Sequence, residues 1–128
     1  MGLSLPRLGR YGRVRRWGRQ IKQAYKWLNY ELGLVNVHAY PDRMYIESTN
    51  HCNLGCIMCP TGLKQIQRPK GYMDYDLFTR IVDEMAGHVK STTLHIWGES
   101  LMHPRIFDMI AYCHEKGLRS EISTNATL

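Results

Sequence analysis

Three cysteines stand close together in the segment Cys52-Asn53-Leu54-Gly55-Cys56-Ile57-Met58-Cys59-Pro60. Three thiolates within eight residues can wrap three corners of a cubane iron–sulfur cluster, with Gly55 expected to let the backbone fold tightly around it. A cluster held by three cysteines keeps one iron without a protein ligand. Such an open position lets a small molecule bind the metal directly, which points to chemistry at the cluster rather than electron storage alone. Two plainer readings use the same thiols. A structural zinc site would take His51 as its fourth ligand, although zinc motifs usually come as two separated pairs. A ferredoxin would need a fourth cysteine, and Cys113 reads instead as a packed thiol beside Ile110 in a later helix.

The elements that must position these thiols follow from the hydrophobic pattern. Met44–Ser48 reads as a strand ending in polar residues just before the cysteines. Asp74 is an expected N-cap, with Met73 and Phe78 as a hydrophobic staple. The following helix is expected to bury Leu77, Phe78, Ile81, Val82 and Met85 and to stop at Gly87. Thr92–Trp97 is a second strand. Pro104 opens a second helix with Ile106, Phe107, Ile110 and Ala111 on its buried face, ended by Gly117. Leu118–Ser123 is a third strand. This alternation implies right-handed βαβ crossovers and a parallel sheet, with chemistry at the C-terminal strand ends. Those ends are Asn50–Cys59, Gly98–Ser100 and Thr124–Ala126.

Charge separates the chain into two parts, an expected leader over residues 1–40 and an α/β portion over 41–128. Residues 1–30 hold eight Arg or Lys and no acid, while the other 98 hold nine basic and eleven acidic side chains. The net charge of +6 therefore belongs to the leader. Within it Val14, Trp17, Ile21, Tyr25, Leu28 and Leu32 recur at helical spacing, opposite Arg13, Arg16 and Lys26, with Gly33 as the stop. Such a basic amphipathic helix can pack on the α/β portion or lie on an anionic membrane surface. It carries no known nucleic-acid-binding motif, so no specific nucleic acid is expected as partner. No secretory signal pattern is present, and four cysteines without one suit a reducing compartment, the cytoplasm.

Spacing of three and then two between cysteines, directly after a first strand, resembles the signature of the radical S-adenosylmethionine (SAM) superfamily. The flanking words match too: Glu47-Ser48-Thr49-Asn50 before the cysteines, Met58-Cys59-Pro60 at their end, Gly98-Glu99 after the second strand and Ser123-Thr124-Asn125-Ala126 after the third. The combination is similar to the branch with molybdenum-cofactor, peptide-modifying and sulfatase-maturing enzymes, many of which carry a C-terminal cluster-binding extension. The match spans about residues 43–128. Trp97 and Ser100 depart from the family's Gly-Gly-Glu-Pro word, of which Gly98-Glu99 remains.

This resemblance implies a [4Fe–4S] cluster on Cys52, Cys56 and Cys59, with SAM chelating the open iron. One electron from a flavodoxin- or ferredoxin-type donor would then cleave SAM to methionine and a 5′-deoxyadenosyl radical, which takes hydrogen from a peptide or small-molecule substrate. It implies that Met58 lies against the adenine, that Gly98 and Glu99 hold the methionine end of SAM, and that Thr124 and Asn125 contact SAM or substrate. The implied fold is a partial (β/α)6 TIM-like barrel, of which three units are visible here. We therefore expect the N-terminal portion of a longer enzyme. These residues alone are not expected to be competent, because the third strand would present an unpaired edge. The alternative is an iron–sulfur or zinc-binding redox or structural module without SAM chemistry.

Overall fold

A computed structural model describes residues 10–35 and 39–128, with side chains from Gly18 onward except that of Arg19. The side chains of Arg13, Val14, Arg16 and Trp17, expected on the two faces of the leader helix, lie outside the described residues. Helix α1 (Arg10–Glu31) is followed by Gly33 at a φ of +61°, the left-handed position that commonly ends a helix. Among the described residues, no helix is long and apolar enough to cross a membrane. The chain divides into two compact units between Ala39 and Tyr40.

The second unit runs β1 (Arg43–Tyr45), α2 (Tyr75–Met85), β2 (Ser91–Thr93), α3 (Ile106–Glu115) and β3 (Arg119–Glu121). The strands form one parallel sheet in the order β1-β2-β3, so the α/β alternation produces the architecture expected of it. The register aligns Met44, Thr92 and Ser120, which therefore share a face. Two residues on, that face continues as Ile46, Leu94 and Ile122, which join Phe78 and Val82 of α2 and Ile106, Met109 and Cys113 of α3 in the core. Burying each of the larger apolar side chains contributes about 1.5–3 kcal/mol. The opposite face is polar, with Arg43 and Arg119 both 3.2 Å from Glu121.

The helix starts follow their local chemistry. Asp74 accepts a hydrogen bond from the Leu77 amide at 2.8 Å and caps α2, while Met73 packs with Phe78 in the core. Other expectations need correction. Leu77 is 41% exposed and Phe107 72% exposed, whereas Met109 and Cys113 are buried. The inward face of α3 is thus rotated from the expected one, and Ala111 is exposed as well. Helix α2 ends at Ala86 in right-handed conformation, with the His88 and Val89 amides both bonded to the Met85 carbonyl. Gly87 contributes no positive φ to that ending. Pro104 stands before α3 rather than in it, after a short 3-10 turn at Ser100–Met102.

The strands are shorter than their hydrophobic runs. The Leu94 amide still donates to the Glu121 carbonyl at 2.8 Å, continuing the ladder past β2. Its own carbonyl, however, accepts from the hydroxyls of Ser48 at 2.9 Å and Ser100 at 3.0 Å. Two buried serines thus take the acceptor that a longer ladder would use.

Candidate functional site

The cysteines occupy the long loop between β1 and α2, and the polar tail of the first strand closes that loop at its base. The Asn50 side chain donates to the Pro69 carbonyl at 2.9 Å and accepts from the Gly71 amide at 2.7 Å. Thr49 donates to the Gly71 carbonyl at 2.8 Å and accepts from the His51 amide at 3.0 Å. The Met73 amide bonds the Ser48 carbonyl at 2.8 Å, and Thr49 pairs with Tyr72 as an antiparallel bridge. Ser48, Thr49 and Asn50 are all buried. These residues flank the cysteines in sequence, and their spatial task is to clamp residues 69–73. The side-chain bonds of this clamp span 19–22 positions, so no local pattern announces it.

Inside the loop the chain folds back on itself through the bonds Cys59 N–H to Cys56 O at 3.2 Å, Leu63 N–H to Cys59 O at 2.9 Å and Gln65 N–H to Pro60 O at 2.9 Å. The tight approach lies at Gly62, where a Cβ would collide with the Cys56 carbonyl oxygen and stand 2.7 Å from its amide nitrogen. Gly55, expected to serve this purpose, has open space around it and no positive φ. Cys52 and Cys59 are partly buried and Cys56 is exposed. The backbone N–H of Gly62 holds the Cys59 thiol below its ordinary pKa, slight burial opposes this, and the amide and hydroxyl of Thr61 add to the lowering. Cys113 is fully buried, and burial pushes its thiol up to about 11. Met58 is 87% exposed at the loop surface. His51 stacks on Tyr72 with ring centroids 4.6 Å apart.

The second and third strand ends meet this loop. Gly98 lies so close to Thr49 that a Cβ would collide with the Thr49 carbonyl oxygen and sit 3.0 Å from the Asn50 Cα. The Glu99 amide then donates to the His51 carbonyl at 2.8 Å. Thr61 reaches the Trp97 carbonyl at 2.7 Å, and the Cys59 sulfur lies 4.0 Å from that same oxygen. The Glu99 side chain is buried, with Oε1 accepting from the Leu101 amide at 3.0 Å and Oε2 from the Asn125 amide at 2.7 Å. Burial alone would raise its carboxyl pKa, but these two amides and the Thr124 hydroxyl outweigh it and hold the group below its ordinary value. Asn125 donates to Asn53 Oδ1 at 2.9 Å and comes within 4.0 Å of the Cys52 sulfur. Thr124 accepts from the Ala126 amide at 3.0 Å. Cys52, Glu99, Thr124 and Asn125 are therefore linked in one network, Gly98 presses on Thr49 and Cys59 lies by the Trp97 carbonyl beside it, and Met58 stands outside these contacts.

The donor set fits a multi-iron cluster. Among the described residues, no three His, Cys, Asp or Glu side chains gather around one point as a single ion requires. A cubane makes a different demand, because its thiolates go to separate irons. Backbone amides that favour thiolate at Cys59 and the fold-back at Gly62 suit that demand.

The sequence model of the Radical SAM superfamily matches residues 46–128 of this chain. The chain belongs to the radical SAM superfamily. The cofactors of that family are a [4Fe–4S] cluster and SAM, and its members related to this chain are enzymes. The chain is 39% identical over 88 residues to the tungsten-containing aldehyde ferredoxin oxidoreductase cofactor-modifying protein of Pyrococcus furiosus, covering 66% of this chain and 24% of that protein. It is 34% identical over 82 residues to the AdoMet-dependent heme synthase of Methanosarcina barkeri, covering 64% and 23% respectively. The chain thus spans about a quarter of the length of these relatives. Its fold is similar to that of Streptococcus suis SuiB bound to S-adenosylmethionine, with a TM-score of 0.60 at 23% identity over 70% of this chain and 20% of that one. SuiB bound to the precursor peptide SuiA gives a TM-score of 0.57 at 18% identity, covering 85% and 24%.

Proposed function

We propose that residues 41–128 form the N-terminal portion of a radical SAM enzyme's core domain, with Cys52, Cys56 and Cys59 holding the cluster and SAM bound beside it. The observation that carries this reading is the network joining the strand ends to the cysteine loop, with the Asn125 side chain reaching Cys52 and the Thr61 hydroxyl donating to the Trp97 carbonyl. When bound, the cluster supplies the electron that cleaves SAM to methionine and a hydrogen-abstracting 5′-deoxyadenosyl radical. The protein's part is to bind, orient and exclude water.

Each residue has a distinct task in this proposal. Amides of Gly62 and Thr61 lower the Cys59 thiol pKa, which favours its ligand form. Gly98 lets the second strand end press on Thr49, and the Gly98–Glu99 segment would hold the methionine end of SAM. The Glu99 carboxylate, already occupied by two amides, acts by holding the Thr124–Asn125 loop in place. Thr124 and Asn125 border SAM or substrate from that loop, and Met58 offers an exposed apolar side chain that adenine can cover. The electron donor is a low-potential flavodoxin- or ferredoxin-type protein in the cytoplasm. The substrate is a peptide or small molecule, and the basic leader makes a peripheral contact with an anionic membrane.

Anaerobic reconstitution with iron and sulfide, followed by EPR with and without SAM, tests the proposal. A four-iron signal that changes on adding SAM is expected from the unmodified chain. Each of Cys52→Ala, Cys56→Ala and Cys59→Ala should lose the cluster, while Cys113→Ala retains it. Cluster loss in the Cys113 variant alone, or retained zinc with no SAM response, overturns the assignment.

A further inference from the structure

We propose that a cavity beside Cys52 is an anion-binding subsite for the substrate, taking a small carboxylate- or phosphate-bearing group through Lys64, Arg68 and Lys70. The cavity has a volume of about 310 Å³, enough for a small ligand or one arm of a larger one. Its wall includes Cys52, the apolar Leu54 and Ile66, and three cations, with no acidic residue. The background charge does not explain this. Residues 31–128 hold more acidic than basic side chains, yet the cavity collects only cations.

The three side chains are exposed, and the fold constrains the backbone at Lys64 and Lys70 and pairs the Arg68 side chain. Lys64 adopts a φ of +56°, the left-handed conformation that a residue with a Cβ takes only against steric resistance. Lys70 lies between Pro69 and Gly71, whose backbone groups are both gripped by the buried Asn50 side chain. Arg68 pairs with Glu47, whose other carboxylate oxygen accepts from the Trp97 amide at 3.0 Å. An arginine has five N–H donors, so this pairing leaves others for a ligand. Among the described residues neither Lys64 nor Lys70 has an acidic partner. Loop lysines left merely to solvent need neither an anchored backbone nor a shared cavity. Beside a reacting centre, such a cavity can orient an anionic substrate and draw it in.

The inference rests on the proposed cluster ligand Cys52 for its meaning, and the two are separable by experiment. Calorimetric titration of the reconstituted full chain uses succinate, which chelates iron weakly, and inorganic phosphate as probes at fixed ionic strength. SAM affinity is measured on the same samples by EPR. Lys64→Gly removes a charge and relieves the positive φ, so folding is not endangered, and Lys70→Gln is its partner. The double variant should bind the preferred probe about tenfold more weakly, the scale of losing charge-assisted contacts, with SAM affinity unchanged. Stronger succinate binding supports a carboxylate-bearing substrate and stronger phosphate binding a phosphorylated one. Failure of both probes to bind, or equal binding to wild type and double variant, overturns the subsite even where SAM still perturbs the cluster. A parallel fall in SAM affinity also overturns it, because the cations would then serve SAM's own carboxylate. Probe binding without a SAM response leaves the subsite standing and removes the cofactor reading instead.

Discussion

The amide of Asn125 donates a 2.7 Å hydrogen bond to Glu99 Oε2 across 26 positions of sequence, joining the second and third strand ends through one buried carboxylate. The other oxygen caps the 3-10 turn at Leu101. Two loops bordering the cysteines thus share a single acceptor group.

Removing that group should destabilise the fold. Glu99→Ala strands the part-buried amides of Asn125 and Leu101, and the loss should fall at or below the low end of the about 1–3 kcal/mol that a fully buried unsatisfied amide costs. The carboxyl's folded pKa lies below its ordinary 4.5, so its stabilisation is present above that value and lost as pH falls through the folded pKa. Thermal unfolding of the wild type and Glu99→Gln should therefore show a gap at pH 7 that narrows below about pH 4.5. A gap that is constant with pH would mean that the charge does not matter there.

Gly98 and Gly62 press against backbone, which cannot rotate away as a side chain can. Gly98→Ala and Gly62→Ala should each destabilise by about 1–3 kcal/mol, the usual cost of overpacking. Gly55→Ala, with open space around it, should be nearly neutral. Chemical denaturation of the three variants checks the ranking, and equal effects would contradict these close approaches.

Thiol reactivity should divide the cysteines before any cluster is loaded. Cys59, partly exposed and with its pKa lowered by the Gly62 amide, should alkylate with iodoacetamide well before Cys113. Cys113, buried and raised to about 11, should stay unmodified until the unit unfolds. Peptide mass mapping over time distinguishes them. Early labelling of Cys113 would show that the core opens more easily than its packing implies.

The leader's contact with membrane should depend on salt. Eight cations in residues 1–30 should bring the chain down with anionic vesicles at low ionic strength. Release is expected as salt shortens the Debye length to about 8 Å. Deleting residues 1–40 should abolish co-sedimentation. If both forms stay in the supernatant at low salt, the membrane contact is wrong.

Ligand spacing and hydrophobic period are local properties, so the amino-acid sequence by itself determined the three-cysteine segment, the βαβ alternation and the Asp74 cap. Where an outcome depended on which backbone comes near, the tertiary structure decided it. Leu77 and Phe107 fit a helical stripe as well as their buried neighbours do, and only the sheet's position turns Phe78, Met109 and Cys113 inward instead. The strands read long in sequence because nothing local reveals that Ser48 and Ser100 will both claim the Leu94 carbonyl. Gly55 and Gly62 are equally plausible pivots until Cys56 is seen packed on one of them. The Glu99 carboxylate accepts from the amides of Leu101 and of a distant loop, a pairing no local pattern reveals. A chain's pattern can say which groups are available to bond, but the partner of a buried carboxylate is set by where the fold brings an unsatisfied amide.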